Sequence, residues 1–241
     1  MEEQEKIPED KLPRHVGLIL DGNRRWAKKN LLSPNVGHLV GYKNLRERLF
    51  DFFDAGIHYL SIYALSLENV RKRSDAEIEY IFGIILDAVD ATVKEATVKE
   101  EKVNFNVIGR IHLLPKSVQE KIHELKEFTK DYDQNFINLC IMYDGQEEIV
   151  DAVKGMINAN LQSDEINKNT IKNYLYTREF PEVDYIIRTG MEDGARISGF
   201  LLWDASYAEF KFRTDLWPDY DKIMVIEDLQ DYINRNRRKG K

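Results

Sequence analysis

The feature that most constrains this chain is its alternation of short, near-continuous apolar runs with longer amphipathic ones. Residues 15–20 (His-Val-Gly-Leu-Ile-Leu) stop at Asp21-Gly22-Asn23, as a buried strand does on meeting a turn. Comparable runs occupy 57–65, 103–108, 136–143, 183–187 and 208–212. Between them lie segments with helical spacing. These are 36–55, closed by Gly56; 74 to about 99, opened by Ser74 and Glu77 in capping-box spacing; and 115–128, with proline in its first turn. Residues 147–161, 167–177 and 221–237 complete the set. Strands that are near-continuous apolar runs, rather than alternating ones, are buried on both faces, as in parallel sheets covered by helices. The pattern predicts an α/β fold: a single open, mainly parallel six-stranded sheet with flanking helices. No linker or repeat divides it. Residues 1–14 are expected to form a solvated tail and 15–241 one domain.

Composition removes several classes. The longest apolar runs, such as 200–203, fall far short of the roughly 20 residues that cross a bilayer. Residues 1–11 are charged throughout and show no signal-peptide pattern. Lys and Arg total 35 against 42 Asp and Glu, a net charge of -7. No nucleic-acid partner is expected of so acidic a chain, although a local basic cleft is compatible with it. The single cysteine, Cys140, excludes an internal disulfide and a cysteine-based zinc cluster. It lies in an apolar run and reads as a core residue in a reducing, cytoplasmic setting.

In open parallel sheets ligands bind beyond the carboxyl ends of the strands. There this sequence places Asp21-Gly22-Asn23-Arg24-Arg25-Trp26, then Ser66-Leu67-Glu68-Asn69 followed by Arg71, Lys72 and Arg73. A late strand leads to Arg188-Thr189-Gly190 and on to Arg196-Ile197-Ser198. The glycine patterns of Rossmann and P-loop nucleotide sites are absent. One carboxylate, several arginines, hydroxyls and helix N-termini suit diphosphate groups bridged by a divalent cation. Each piece has a plainer reading taken singly. Asp21-Gly22-Asn23 is a tight turn, the arginine pair a solvated helix face, His38 a structural hydrogen-bonder and Glu209 a paired structural acid. Three strand ends offering anion-binding groups in an acidic protein set the combination apart.

The run from His15 to Lys29, built on Asp21-Gly22-Asn23-Arg24-Arg25-Trp26-Ala27, closely resembles the N-terminal signature of the cis-prenyltransferases, the undecaprenyl diphosphate synthase-like enzymes. The resemblance continues through Gly37-His38, Tyr63-Ala64-Leu65-Ser66-Leu67-Glu68-Asn69, Val107-Ile108-Gly109 and Glu148-Ile149-Val150-Asp151-Ala152-Val153. It returns in Ile187-Arg188-Thr189-Gly190, Phe200-Leu201-Leu202-Trp203, Tyr207-Ala208-Glu209 and Leu216-Trp217-Pro218-Asp219.

The resemblance implies a role for each matching residue. Asp21 matches the catalytic aspartate that holds Mg²⁺ against the diphosphate, and Glu209 a second acid tied to metal binding. Gly22, Asn23 and Arg25, with Trp26 beside them, match the phosphate-binding turn, and Asn23 lies where the family has a proton-relay asparagine. His38 matches a histidine near the allylic diphosphate. Ser66 and Asn69 match polar residues at the reacting centre, and Arg73 the basic residue that follows. Arg188, Arg196 and Ser198 match the clamp on the second diphosphate. An apolar tunnel walled by the helix from 78 to 93 is implied for the growing chain. Ala64 is small near its mouth, and Tyr80 and Phe82 are bulky candidates to narrow it.

The implied reaction condenses an allylic prenyl diphosphate with isopentenyl diphosphate, forming a cis-polyprenyl diphosphate. Breaking the allylic C–O bond leaves a carbocation and a diphosphate, whose charge Mg²⁺ and arginines stabilise. No enzyme nucleophile is needed. Family membership further implies a homodimer, for which 200–203 and 207–210 have the apolar composition, although an ordinary buried strand has it too. Peripheral contact with a membrane is implied for release of an insoluble product. The basic tail 234–241 is a candidate for that contact, or for closing over the second diphosphate through Arg238.

Departures from the family pattern leave alternatives open. Pro34 stands where the family usually has an arginine, Val70 where it has tryptophan, Gln146 where it has arginine and Gly199 where it has asparagine. Residues 191–195 are two longer than the common form and bring Glu192 and Asp193 beside the clamp. An irregular condensation with dimethylallyl diphosphate as acceptor is the alternative, and a non-catalytic partner subunit a more distant one.

Overall fold

The chain follows the expected alternation in the structure, a computed structural model that describes residues 11–235. It begins with β1 (His15–Ile19), the short helix α1 (Asn23–Lys29) and the long helix α2 (Pro34–Asp54). Next come β2 (Tyr59–Ser66), α3 (Leu67–Lys72), α4 (Asp75–Lys94), α5 (Ala96–Glu100) and β3 (Val103–Ile108). The second half holds α6 (Lys116–Thr129), β4 (Asn135–Tyr143), α7 (Gly145–Asn158) and α8 (Lys168–Tyr174). It ends with β5 (Tyr185–Arg188), β6 (Glu209–Phe212) and α9 (Lys222–Asn234).

The strands form one sheet in the order β3-β4-β2-β1-β5-β6. Every pairing is parallel, so the sheet is wholly rather than mainly parallel. β1 lies inside the sheet and is buried at all its positions. From it the chain builds outward through β2, β4 and β3 on one side and through β5 and β6 on the other. That reversal puts the crevice of an open α/β sheet beyond the carboxyl ends of β1 and β5. Cys140 is fully buried within β4, where burial pushes its thiol pKa up.

Several expectations need correction. The solvated tail is shorter than 1–14, because Leu12 packs into the main core; residues 1–10 lie outside the described region. The helix expected from 74 to 99 breaks at Glu95, whose ψ of 122° is extended, and α5 follows as a separate turn. Phe200 and Leu201, read as interface residues, are wholly buried within the protomer, and Phe200 stacks on Tyr63 at 4.9 Å. The closing helix ends at Asn234, and 236–241, with Arg238, lie outside the described residues. Arg235 bonds to Glu209 and Asp231. Among the described residues no helix is long and apolar enough to cross a membrane.

Candidate active site

Asp21 is fixed by its backbone so that its carboxylate is free to meet cations. Its carbonyl accepts from Trp217 N at 3.0 Å and from Thr189 Oγ1 at 2.8 Å. Gly22 then turns the chain into α1 with φ 115°, and a Cβ there would stand 2.9 Å from Leu216 Cδ2, so conformation and space both demand glycine. The carboxylate accepts from Arg188 Nη2 at 2.8 Å on Oδ2 and from Arg25 Nη2 at 3.2 Å on Oδ1. Arg188 also donates from Nη1 to Arg196 O at 2.8 Å and Ser198 Oγ at 2.9 Å, while its buried Nε has no partner. Arg25 donates to Gly190 O at 2.6 Å and to Glu192 Oε1 at 3.4 Å. Asp21, Arg25, Arg188 and Ser198 thus share one cluster. Arg196 is exposed and contributes its carbonyl there. The lengthened segment does bring a carboxylate, Glu192, to this cluster.

A second cluster forms around Glu77, in the first turn of α4. Its Oε1 accepts from His38 Nε2 at 2.8 Å and lies 3.6 Å from Arg73 Nε and 3.8 Å from Arg24 Nε. Burial lowers the pKa of His38, so the ring is neutral near pH 7 and carries its proton on Nε2, facing an acceptor. Burial likewise lowers that of Arg73. Sequence reasoning assigned Glu77 to a capping box. Half of that box forms, with Ser74 Oγ accepting from Glu77 N at 3.4 Å, but the carboxylate turns to the cations instead. Arg24, named in the motif and given no role, also lines the cavity. The available signal for Glu77 was its spacing of four residues from Arg73.

Asn23 sits between the clusters under α2, which approaches closely through two glycines. A Cβ on Gly37 would lie 2.2 Å from Asn23 O, and one on Gly41 2.2 Å from Asn23 Oδ1. That Oδ1 is buried without a hydrogen-bond partner. Ser66 caps α3 by accepting from Asn69 N at 3.0 Å, and both residues line the cavity. Three predicted side chains are not brought to the site, and the first is that of Arg196, which is exposed and does not line the cavity although its carbonyl meets Arg188. Trp26 does not line the cavity and donates its indole N–H to Asp219 Oδ1 at 2.7 Å. Glu209 opens β6 level with Val16, five residues before Asp21, hence roughly 16 Å away along the strands. Its carboxylate accepts from Arg235 at 2.9 Å, so within one protomer it cannot share a metal with Asp21.

From these clusters a cavity of about 1030 Å³ runs between α2, α4 and the sheet. Its depth is lined by Leu49, Phe53, Ile85, Val89, Phe105 and Ile137. Ala64 reaches its mouth because β2 bulges there, with Tyr63 and Leu65 opposite the consecutive residues Cys140 and Ile141. Tyr80 and Phe82 do not line it; Ile81, Ile84 and Ile85 do. The site therefore joins a polar, guanidinium-rich mouth to an apolar interior. Among the described residues no group of three or more His, Cys, Asp or Glu could hold a metal ion.

The family described as "Putative undecaprenyl diphosphate synthase" matches residues 19–240. A protein of Thermoplasma volcanium named tritrans,polycis-undecaprenyl-diphosphate synthase (geranylgeranyl-diphosphate specific) is 38% identical over 245 residues, covering 100% of this chain and 93% of its own length. A protein of the same name from Pyrococcus abyssi is 40% identical over 98% of this chain and 90% of its own. The crystal structure of lavandulyl diphosphate synthase from Lavandula x intermedia, in complex with dimethylallyl diphosphate, superposes with a TM-score of 0.90 at 30% identity. It covers 96% of this chain and 100% of that one. A probable undecaprenyl diphosphate synthase from Campylobacter jejuni gives 0.78 at 29%, covering 95% and 99%. A parallel sheet with its diphosphate-type cluster at the strand ends, an apolar cavity behind it and a match along nearly the whole chain lead to one conclusion: this protein belongs to the undecaprenyl diphosphate synthase family and is a cis-prenyltransferase.

Proposed function

We propose that the protein extends an allylic diphosphate with isopentenyl diphosphate in a Mg²⁺-dependent reaction, geranylgeranyl diphosphate being the primer. The observation that carries this is the junction of a mouth holding Asp21 and four guanidiniums with a deep apolar cavity. The primer comes from the shared name of the relatives.

Mg²⁺ is ordinarily held by one or two carboxylates together with substrate phosphate oxygens, not by an all-protein cage. Asp21 alone at a cationic mouth fits that donor set. When bound, the ion neutralises charge on the departing diphosphate. The protein's own groups do the rest. Arg24 and Arg73, held by Glu77 beside His38, bind one diphosphate. Arg25, Arg188 and Ser198, with Arg196 at the rim, bind the other. Asn23 adjoins Arg24 and Arg25 and Asn69 lines the same cavity, and the unpartnered Asn23 Oδ1 is suited to accept a proton in flight. The cavity takes the hydrocarbon and excludes water. The protein works as a cytoplasmic homodimer in which Glu209 faces the partner's site, with peripheral membrane contact for release.

The second reading is irregular condensation with dimethylallyl diphosphate. It draws on the lavandulyl diphosphate synthase likeness and on Glu192 beside Arg25. One experiment separates them: purified protein with labelled isopentenyl or dimethylallyl diphosphate, primers of several lengths, and Mg²⁺ or chelator. Linear cis-polyprenyl product that chelator abolishes is expected. Branched product supports the second reading, and no product with any pair overturns both. Light scattering of the same sample checks the dimer.

A further inference from the structure

The wall of the cavity is apolar along two helix faces and charged at one place. On α2 the facing residues are Tyr42, Leu45, Arg46, Leu49, Phe50 and Phe53, a single stripe at helical spacing. On α4 a matching stripe runs through Ile81, Ile84, Ile85, Ala88, Val89 and Thr92. Arg46 is the one charged residue in the two stripes. Its Nη2 donates to Glu95 Oε2 at 2.6 Å, and Glu95 also lines the cavity. Glu95 is where α4 ends and the chain breaks before α5. The two side chains are 41% and 25% exposed, so the pair has water on one side and the cavity on the other. One turn before Arg46, the Tyr42 hydroxyl is buried without a partner. The Thr92 hydroxyl turns back onto Ala88 O at 2.8 Å.

This inference rests on the reading that the cavity receives a growing hydrocarbon. A volume of about 1030 Å³ lies at the upper end of ordinary ligand pockets, roughly 300–1,000 Å³, and it is finite. Each five-carbon addition drives the tail deeper. Once the cavity is full, the tail must stop or part the wall. Packed aliphatic faces resist parting. A half-exposed ion pair between two long side chains is a weak tie, and here it adjoins a helix break. An apolar tail that displaced one partner would leave a charge without its counter-ion against hydrocarbon, which is unfavourable.

We propose that the Arg46–Glu95 pair is a latch on a lateral slot between α2 and α4, and that its closure sets the length at which the product stops growing. The test is the product-length distribution from one primer, compared at matched isopentenyl consumption. Arg46→Gln and Glu95→Gln each shift the main product longer by at least one five-carbon unit. The charge swap Arg46→Glu with Glu95→Arg restores the pair and returns the wild-type length. Wild-type lengths in both single variants overturn the latch. Longer products that the swap does not restore also overturn it, since shape and not pairing would then be responsible. A wild-type protein that makes no cis-polyprenyl chain overturns the functional reading itself, and that is seen before any variant is assayed.

Discussion

Arg188 Nη2 reaches Asp21 Oδ2 at 2.8 Å and ties the carboxyl end of β5 to that of β1. Arg188 is 6% exposed, so this bond both compensates a buried guanidinium and aims the carboxylate toward the mouth. Asp21→Ala is expected to lower turnover by a factor on the order of 10³, with Asp21→Asn close behind because it keeps the shape and loses the charge. The fold survives at a cost of roughly 2–3 kcal/mol, since Asp21 is partly exposed but Arg188 loses the carboxylate that compensates its burial. Steady-state kinetics and thermal melts check both parts. Near-normal Mg²⁺-dependent turnover would sink the assignment of Asp21.

Glu77 is the anchor of the other cluster. Glu77→Gln leaves Arg24 and Arg73 without their counter-charge and is expected to cost roughly 2–3 kcal/mol. That is below the ~3–5 of a fully buried pair, because Arg24 is 58% exposed. The Michaelis constant for the allylic substrate rises several-fold, because the guanidiniums are no longer aimed. Chemical denaturation and kinetics at several primer concentrations test this. An unchanged constant would confine Glu77 to a structural role.

Gly41→Ala tests the position of Asn23 without altering Asn23 itself. The new methyl would start 2.2 Å from Asn23 Oδ1 and 2.8 Å from its Cγ, so the side chain must move as a whole. Turnover is expected to fall at least tenfold with a stability loss of about 1–3 kcal/mol, because turning the amide leaves the Cγ contact in place and the buried side chain or the helix above it has to shift. Turnover equal to wild type in a folded Gly41→Ala protein shows that the amide's placement is irrelevant.

His15 gives the protein an acid limit. Its Nδ1–H donates to Pro181 O at 2.8 Å and its Nε2 accepts from Ser61 Oγ–H at 2.9 Å, a neutral ring in a fully buried site. Burial lowers its pKa to about 4, against about 6.5 unfolded. Between these values the unfolded chain binds a proton that the folded one refuses, so stability falls as pH drops from about 6.5 to about 4. The loss approaches about 3 kcal/mol. Denaturation of wild type and His15→Gln across that window gives the difference. Parallel curves would mean that His15 does not titrate as described.

The sheet was legible because burial on both faces leaves apolar runs that no other element explains. The strand 103–108 coincides with β3. The short helices α1 and α3 register in the sequence only as arginine runs on a helix face, without bounds, since seven and six residues hold too little periodicity to mark their ends. The family pattern puts Asp21 and Arg25 in one phosphate-binding turn and Arg188 and Ser198 on the second diphosphate, whereas the structure joins all four in one hydrogen-bonded cluster, which a linear match does not show. Glu77 was hidden because a glutamate three residues after a serine explains itself as a cap. Tyr80 and Phe82 lie on the helix that walls the cavity but not on its lining face, which the sequence leaves open because α4 is apolar over more than one face and phase cannot be read from such a run. Trp26 and Glu209 belong to strings that match the family pattern, but their side chains bond to Asp219 and Arg235 away from the cavity, which a one-dimensional match does not reveal.

The parallel pairing of β1 with β5 also bears on how the protein is made. Val16 meets Tyr185, and the Asp21 carbonyl meets the amide of Trp217, so contacts at the centre of the sheet span most of the chain. A nascent chain emerging from the ribosome can pair β1 with β2 early, but it carries an unfilled edge on β1 until nearly two hundred residues have been synthesised. Closing such distant pairings is slow, and an open apolar edge invites misassociation meanwhile. The reacting centre is thus among the last parts to exist. Truncated chains ending before β5 are expected to be inactive and to aggregate unless chaperoned, while release of the full chain switches on binding and folding together.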